Sequence, residues 1–228
     1  SNGHIGTNWN GHYKIIYDAN ELINAAMESG DTSDGTAINV AEAKVIRAFC
    51  FFELRRDYGE VPINLKTIDV PADEVAAKNT VAQVDAQIIK DLMESKDILP
   101  SQWASAYLGR ATSGLANALL AKLYLYQKDY VKSLQFADAV INSNIYMLNA
   151  SYDTEFTLDG NNSKESILEV QKTYDFPKKY SNNFFESQGV RGSGEWDLGW
   201  GFNVPSTGLV DAYEPGDLRK KTTILTSG

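Results

Sequence analysis

The chain contains 228 residues, 43% of them hydrophobic, and carries a formal net charge of −9. This length and composition can supply the core of one sizeable domain or of two small ones. The acidic balance is not offset by a basic cluster, so a phosphate backbone would be repelled and no nucleic-acid partner is expected. The longest uninterrupted apolar run, Ala48–Phe52, is far shorter than the roughly 20 residues that cross a bilayer. No transmembrane helix is therefore predicted.

The first predicted helix runs from about Tyr13 to Glu28. One face of it repeats at helical spacing and includes two asparagines among larger side chains. That face contains Tyr13, Ile16, Tyr17, Asn20, Asn24 and Met27. The polar stretch Ser29–Thr36 is predicted to link this helix to the next.

The second predicted helix opens at Ala41 and ends before Gly59 and Pro62. Its apolar residues lie around nearly the whole circumference, which predicts packing on several sides. Cys50 lies in the middle and is interpreted as a small buried hydrophobe, not as a reactive thiol. Four polar residues of these two helices are predicted to tie helices together and not to contact a ligand. They are Asn20, Asn24, Glu42 and Arg47.

Three further helices are predicted before residue 145. Thr80 and Gln83 have the spacing of a capping box that begins a helix, and Leu99-Pro100 ends it. The stretches Thr112–Gln127 and Tyr130–Asn142 resemble a tetratricopeptide repeat, a helical hairpin with its turn at Asp129-Tyr130. The second helix of this hairpin is predicted to present one packed face of Tyr130, Leu134, Ala137 and Ile141. The predicted core of the helices includes Phe49, Phe52, Leu119, Leu123 and Leu134.

The remaining third of the chain has little periodicity. Ser166–Gln171 is predicted as a short strand, Tyr174–Pro205 as an irregular segment, and Thr207–Tyr213 as a short helix. The predicted fold class is therefore mainly α, with tetratricopeptide-like helical hairpins and an irregular, loop-rich appendage. Loops held on a rigid scaffold are where binding residues concentrate.

Three separate stretches of this sequence resemble the SusD/RagB family of surface glycan-binding lipoproteins. The first is the second predicted helix, with its Ala-Glu-Ala-x-x-x-Arg-Ala-x-x-x-Phe-x-Leu-x-x-x-Tyr-Gly-x-Val-Pro pattern. The second is Gly109–Ile141, in which Gly-Arg-Ala-Thr leads into the hairpin. The third is Gly201-Phe202-Asn203-Val204-Pro205, followed by Leu209-Val210-Asp211-Ala212 and by Asp217-x-Arg219. The order and spacing of the three stretches match the family from near the start of the chain to its end.

The resemblance implies a single SusD-like domain over 1–228, incomplete at both ends, in an α-α superhelix. The helical repeat scaffold is expected over 9–145 and the loop-rich segment over 146–228. Family membership also implies a non-enzymatic protein that captures glycans on the outer face of the outer membrane. It is expected to deliver them to a SusC-like TonB-dependent porin, for which it acts as a lid. Contact with the membrane is expected only through an N-terminal lipid anchor that is absent from this chain.

The candidate glycan-binding site lies in the irregular segment, where eight aromatic residues are interleaved with glycines between Tyr174 and Asn203. A flat aromatic ring suits the C–H face of a pyranose, while amides and carboxylates can reach its hydroxyls. Alternatively, these rings fill a small satellite core beneath the segment. The family carries a stacking aromatic just before its Gly-Phe-Asn-Val-Pro-like motif, a position that Trp200 holds in this chain. The predicted platform is Tyr180, Asn183, Trp196 and Trp200.

Catalytic, metal and cofactor motifs find little support in the sequence. There is no G-x-S-x-G elbow and no phosphate-binding glycine loop, and His4 and His12 are predicted to be surface residues. No metal or cofactor is therefore expected, and the protein is not expected to be an enzyme. Two alternatives to glycan capture are a helical-repeat scaffold that binds a protein, and a hydrolase that uses a carboxylate pair such as Glu195 with Asp197.

Overall fold

The computed structural model describes residues 3–66, 76–172, 187–192 and 199–224, together with the backbone of two short strands at 174–175 and 178–179. The chain divides into two compact units, Ser1–Met147 and Leu148–Gly228. We call the first the helical unit and the second the loop-rich unit.

The helical unit is built from α1 (Gly3–Ser29), α2 (Asp34–Tyr58), α3 (Val81–Ser95), α4 (Ser113–Tyr126) and α5 (Tyr130–Ile141), with a 3-10 turn at Ser105–Tyr107. Helix α2 packs against α1 on one side and against α3 on the other, and α4 pairs with α5. Because neighbours in sequence are neighbours in space, the unit is a stack of helical hairpins, as the mainly α prediction requires. None of the helices in the described part of the chain is long and apolar enough to cross a membrane.

Three of the predicted helix ends are confirmed by their caps, whereas α2 begins at Asp34 and not at Ala41, within the stretch Ser29–Thr36 that was predicted as a link. The Thr80 hydroxyl accepts from the Gln83 backbone N–H, and the Gln83 side chain accepts from the Thr80 N–H, so the capping box is formed. Asp129 caps α5 by accepting from the Lys132 N–H at 3.2 Å. Gly59 ends α2 with a φ of +76°, a conformation that a side chain would strain, and its N–H donates to the Arg55 carbonyl at 3.0 Å.

Helix α1 begins ten residues earlier than the sequence pattern indicates. Its first turns are held by the end of α2, where the Tyr58 hydroxyl donates to the Ile5 carbonyl at 2.8 Å and Asn8 donates to Asp57 at 3.1 Å. The Trp9 ring meets the Tyr58 ring edge-on at 4.9 Å. Tertiary contacts of this kind extend a helix beyond its amphipathic stripe.

Helix α2 is buried around most of its circumference, as predicted. Val45, Phe51, Phe52 and Leu54 have almost no exposed surface. Cys50 is also buried, and this burial raises the pKa of its thiol to about 12. The thiolate is therefore not formed at neutral pH, and Cys50 acts as a core side chain.

A buried polar network joins the first three helices. Arg47 of α2 forms a bidentate ion pair with Asp91 of α3, in which Nε donates to Oδ2 at 2.8 Å and Nη2 donates to Oδ1 at 2.7 Å. Its Nη1 donates to the Asn20 side chain of α1 at 2.7 Å, and Gln87 donates to Asp91 at 3.0 Å. The predicted structural role of Asn20 and Arg47 is confirmed, because each charge and amide here is satisfied by another helix.

A second polar cluster explains the Gly-Arg-Ala-Thr motif before α4. Arg110 donates through Nε and Nη2 to the Glu42 carboxylate of α2 and through Nη2 to Asn39 at 3.0 Å. The guanidinium carbon also lies 3.9 Å from the centre of the Trp103 ring, a cation–π geometry. Glu42 therefore fixes the loop that introduces α4, which confirms its predicted structural role.

The predicted packed face of α5 is wrong. Leu134 is 61% exposed, and Tyr130 and Ile141 are exposed as well. The buried residues of α5 are Phe136 and Val140, and the Phe136 ring stacks on Tyr124 of α4 at 5.7 Å. Phe49, also placed in the predicted core, is only half-buried, whereas Phe52, Leu119 and Leu123 are buried as expected. Two apolar faces of α5 compete for one neighbour in this hairpin, and the face with Phe136 and Val140 packs against α4.

The loop-rich unit contains 3-10 turns at Tyr152–Phe156 and Leu158–Gly160, strands β1 (Tyr174–Asp175) and β2 (Lys178–Lys179), and helices α6 (Thr207–Ala212) and α7 (Arg219–Thr223). The two strands are antiparallel, with Tyr174 opposite Lys179. Helix α6 confirms the predicted short helix, and the Ser206 hydroxyl caps it by accepting from the Leu209 N–H at 3.2 Å.

The predicted strand at Ser166–Gln171 is wrong. The Glu169 carboxylate accepts from the Asn162 N–H at 2.8 Å and from the Ser166 hydroxyl. Gln171 donates to the Asn162 side chain at 2.8 Å. These side-chain bonds tie the segment to the turn at Asn162, and the Glu169 carbonyl accepts from the Gln171 side chain at 3.2 Å instead of from a neighbouring strand. Val170 remains exposed.

Candidate functional site

The site begins with two short stretches that pair through their backbones, 187–190 and 199–202. The Gly199 N–H donates to the Val190 carbonyl at 3.1 Å, Gly201 to Gly189 at 2.9 Å, and Phe202 to Ser187 at 2.9 Å. These bonds hold the two stretches together. They also fix the backbone on which Trp200 is carried.

Glycine is required at position 201 for two reasons. Its φ is +66°, in the left-handed region, and a Cβ there would lie 2.7 Å from the Cβ of Arg191. The next left-handed residue, Asn203, has a φ of +58° and belongs to a residue type that tolerates this region. The Gly-Phe-Asn motif therefore supplies the sharp backbone path that follows Trp200.

Trp200 presents a half-exposed aromatic surface. Its side chain is 46% exposed, and that of Phe202 is 57% exposed. The two rings meet edge to face, with centroids 5.8 Å apart and an interplanar angle of 68°. This contact orients the indole while leaving ring surface open to a ligand. We call Trp200 and Phe202 the aromatic pair.

The other three predicted platform residues, Tyr180, Asn183 and Trp196, lie outside the described residues, as do Glu195 and Asp197. Of the predicted site, the structure therefore places Trp200. Its contact partner Phe202 was among the aromatic residues noted in the segment but was not chosen for the platform. Positions 200 and 202 lie on the same face only if the backbone is extended. The sequence pattern does not predict the paired, extended backbone described above, so Phe202 could not be chosen from it.

Within the described ranges, no group of three or more His, Cys, Asp or Glu side chains converges as a metal site would require. Polar groups of the loop-rich unit pair with one another instead. One such pair joins Asp217 and Arg219, which follow α6. The Arg219 guanidinium donates through Nε at 2.9 Å and Nη2 at 2.6 Å, and its backbone N–H donates at 3.0 Å.

This pair makes the loop-rich unit sensitive to acid. Hydrogen bonds from Arg219 lower the pKa of Asp217 to about 2, against about 3.9 in an unfolded chain. Because the folded pKa is the lower one, the stabilisation from this pair is fully present above the unfolded pKa and is lost as the pH falls towards 2. We expect an NMR titration of the Asp217 carboxyl to give a midpoint well below that of an ordinary aspartate.

The matched control is Arg219→Gln, which removes the charge and most of the donors. In that variant the Asp217 midpoint should return towards the ordinary range, because the hydrogen bonds that favour the carboxylate are lost. A midpoint that stays low in Arg219→Gln would show that another group holds the Asp217 charge.

The sequence is similar to those of known SusD-like proteins. Residues 1–125 match the model of a family of SusD-like proteins described as starch-binding and associating with the outer membrane. SusD-like protein P2 of Formosa agariphila is 29% identical over 99% of this chain. The chain spans 46% of the length of that curated relative.

Two solved structures add to the comparison. A laminarin-binding SusD-like protein is 28% identical, with a TM-score of 0.69 over 73% of this chain and 38% of its own. A structure determined with xylogluco-oligosaccharide is 27% identical, with a TM-score of 0.73 over 84% of this chain and 40% of its own. The predicted mainly α fold and the predicted membership of the SusD-like family are confirmed by these matches.

Proposed function

This chain belongs to the SusD-like family, and from that premise we propose that the protein binds glycans without catalysis and passes them to a transporter. The observation that carries the proposal is the aromatic pair, in which Trp200 is 46% exposed on a backbone fixed by three hydrogen bonds. A rigid, open ring is suited to stacking against a sugar.

The chemistry of the pair favours binding over reaction. The C–H faces of a pyranose pack on an indole by dispersion and apolar burial, which need no proton transfer and no nucleophile. Relatives named for laminarin and for xylogluco-oligosaccharide support an oligosaccharide or polysaccharide as the ligand class. Non-catalytic capture is therefore the role that we propose for this chain.

The aromatic pair also separates the glycan proposal from its main alternative. If the irregular segment were only filler in a protein-binding scaffold, its rings would be expected in a satellite core. Trp200 and Phe202 instead keep about half of their surfaces open. The exposure of both rings favours the glycan-binding function over the scaffold.

We further propose that the full-length protein is located at the outer membrane and acts with a SusC-like TonB-dependent porin. The family description, which includes association with the outer membrane, supports this location. Mild-detergent purification of the tagged full-length protein from native membranes should recover such a porin at a fixed ratio. Recovery of the protein without a porin, at normal expression, would contradict the partnership.

Replacing Trp200 by alanine is expected to weaken glycan binding several-fold. Loss of an aromatic stacking contact costs roughly 0.5 to 1.5 kcal/mol beyond the buried area, and about 1.4 kcal/mol corresponds to a tenfold change in Kd. Calorimetry on the full-length protein with a laminarin or xyloglucan oligosaccharide measures this change.

Tyr130→Ala is the matched control for this measurement, since Tyr130 is an exposed aromatic residue of the helical unit. It should leave the affinity unchanged, while both variants should retain the wild-type helical circular dichroism. Equal affinity of Trp200→Ala and wild type for a glycan that both bind would remove Trp200 from the site.

A further inference from the structure

The loop-rich unit contains a cavity of about 290 Å³ whose lining includes neither residue of the aromatic pair. Its walls come from the first 3-10 turn, from α6 and the residue that follows it, and from α7 with the turn that leads into it. The lining side chains include Tyr152, Leu209, Ala212, Tyr213, Asp217 and Arg219. We propose that this cavity binds one neutral sugar ring, as a second site separate from Trp200. The proposal rests on the proposed glycan-binding function, because it assumes that glycans reach this surface.

The apolar part of the cavity is formed mainly by two tyrosine rings. Tyr152 is held by an edge-on contact with Phe156, whose ring centre lies 5.2 Å away. Tyr213 follows the last residue of α6 and is half-buried. Both tyrosines line the cavity, and a tyrosine ring can pack on the C–H face of a sugar. Leu209 and Ala212 of α6 complete this side of the cavity.

The polar part is the Asp217–Arg219 pair. Tyr152 and Tyr213 line the same cavity as Arg219. The Nε and Nη2 groups of Arg219 are used on Asp217. Among the residues that the structure describes, the Nη1 group of Arg219 donates to none. With respect to the described residues that donor is open to a ligand, beside the Asp217 carboxylate, which can accept hydrogen bonds.

Charge and size together define the ligand class. The Asp217 carboxylate remains ionised at neutral pH beside Arg219, so the two charges cancel and an anion gains little from entering. A neutral polyol fits this pair better, because adjacent hydroxyls can donate to the carboxylate and accept from the guanidinium. Ligand cavities usually measure about 300 to 1,000 Å³, and this one, at about 290 Å³, lies just below that range. One ring therefore fits, and a longer chain would have to extend outside.

The test uses saturation-transfer NMR on the full-length protein with D-glucose, D-galactose, D-mannose, D-xylose and D-glucuronate as separate probes. Ala212→Phe adds a ring to the wall of the cavity and removes no contact. We expect at least one neutral sugar to bind the wild type, and Ala212→Phe to abolish that binding. Ala139→Phe, which adds the same ring to an exposed position of α5, should bind like the wild type.

A second variant tests the stacking contact itself. Tyr152→Ala should weaken binding of the same sugar roughly two- to tenfold, and Tyr152→Phe, which keeps the ring, should retain most of it. Trp200→Ala should have no effect on it, because Trp200 does not line the cavity. Circular dichroism on each variant checks that the fold is kept.

The outcomes separate this inference from the proposed function. If no neutral sugar gives a signal that Ala212→Phe removes, while oligosaccharide binding still depends on Trp200, the second site is wrong and the proposed function stands. Tighter binding of glucuronate than of the neutral sugars would also overturn the inference, because it would show that Arg219 acts as an unpaired cation.

Discussion

Replacing Asp91 by alanine is expected to lower the free energy of unfolding by about 3 to 5 kcal/mol, the range observed when one partner of a buried ion pair is removed. Asp91 is 1% exposed and accepts hydrogen bonds from both Nε and Nη2 of the Arg47 guanidinium. The alanine variant leaves that cation among helices with no carboxylate to neutralise it. Urea unfolding of both proteins measures the difference.

Asp97→Ala is the matched control. Asp97 also pairs with a basic residue, Lys96, but its side chain is 80% exposed. Exposed pairs contribute about 0 to 1 kcal/mol, so the two aspartates should differ by several-fold in their effect. Similar losses from the two variants would mean that the buried network does not hold α1, α2 and α3 together.

Replacing Leu123 by alanine is expected to cost about 2 to 5 kcal/mol, the range for a buried leucine that leaves a cavity. Leu123 lies on α4 and has no exposed surface. The expected loss of stability has two parts. The alanine variant buries less apolar area on folding, and the surrounding helices do not close the cavity left by the missing atoms. Thermal and urea unfolding should give the same ranking.

Leu134→Ala removes the same atoms from an exposed position of α5 and is the control for this effect. Most substitutions at exposed positions change stability by less than about 0.5 kcal/mol. A loss in Leu134→Ala equal to that in Leu123→Ala would show that the α5 face predicted from the sequence is packed after all.

The helices could be predicted largely from local signals. A capping box at Thr80, a cap at Asp129 and a glycine at position 59 act within one or two turns, so they can be read without knowledge of the fold. The early start of α1 could not be predicted in this way. It depends on Tyr58 and Asp57, about fifty residues away in sequence, which hold the first turns in place.

The face of α5 shows why periodicity can mislead. Tyr130, Leu134 and Ile141 have the right spacing for a packed stripe, but Phe136 and Val140 form a second one. Spacing alone does not rank two stripes on one helix. The choice is made by the fit of the Phe136 ring against Tyr124, a contact between helices that no pattern within α5 encodes.

The candidate site could be predicted only in part. Trp200 was chosen through its position before the Gly-Phe-Asn-Val-Pro motif, and the structure places it half-exposed on a paired backbone. The roles of Tyr180, Asn183 and Trp196 remain predictions. The cavity lined by Tyr152 and Arg219 could not be predicted, because its walls come from residues about sixty positions apart in sequence. The Asp217-x-Arg219 motif does not indicate which tyrosines line the same cavity.

Glycan binding itself is tested most directly by exposing the purified full-length protein to an array of neutral oligosaccharides and polysaccharides that includes laminarin and xyloglucan fragments. We expect saturable binding to at least one of these glycans, with a weaker signal from Trp200→Ala and an unchanged one from Tyr130→Ala. A folded full-length protein that binds none of the glycans on the array would contradict this expectation.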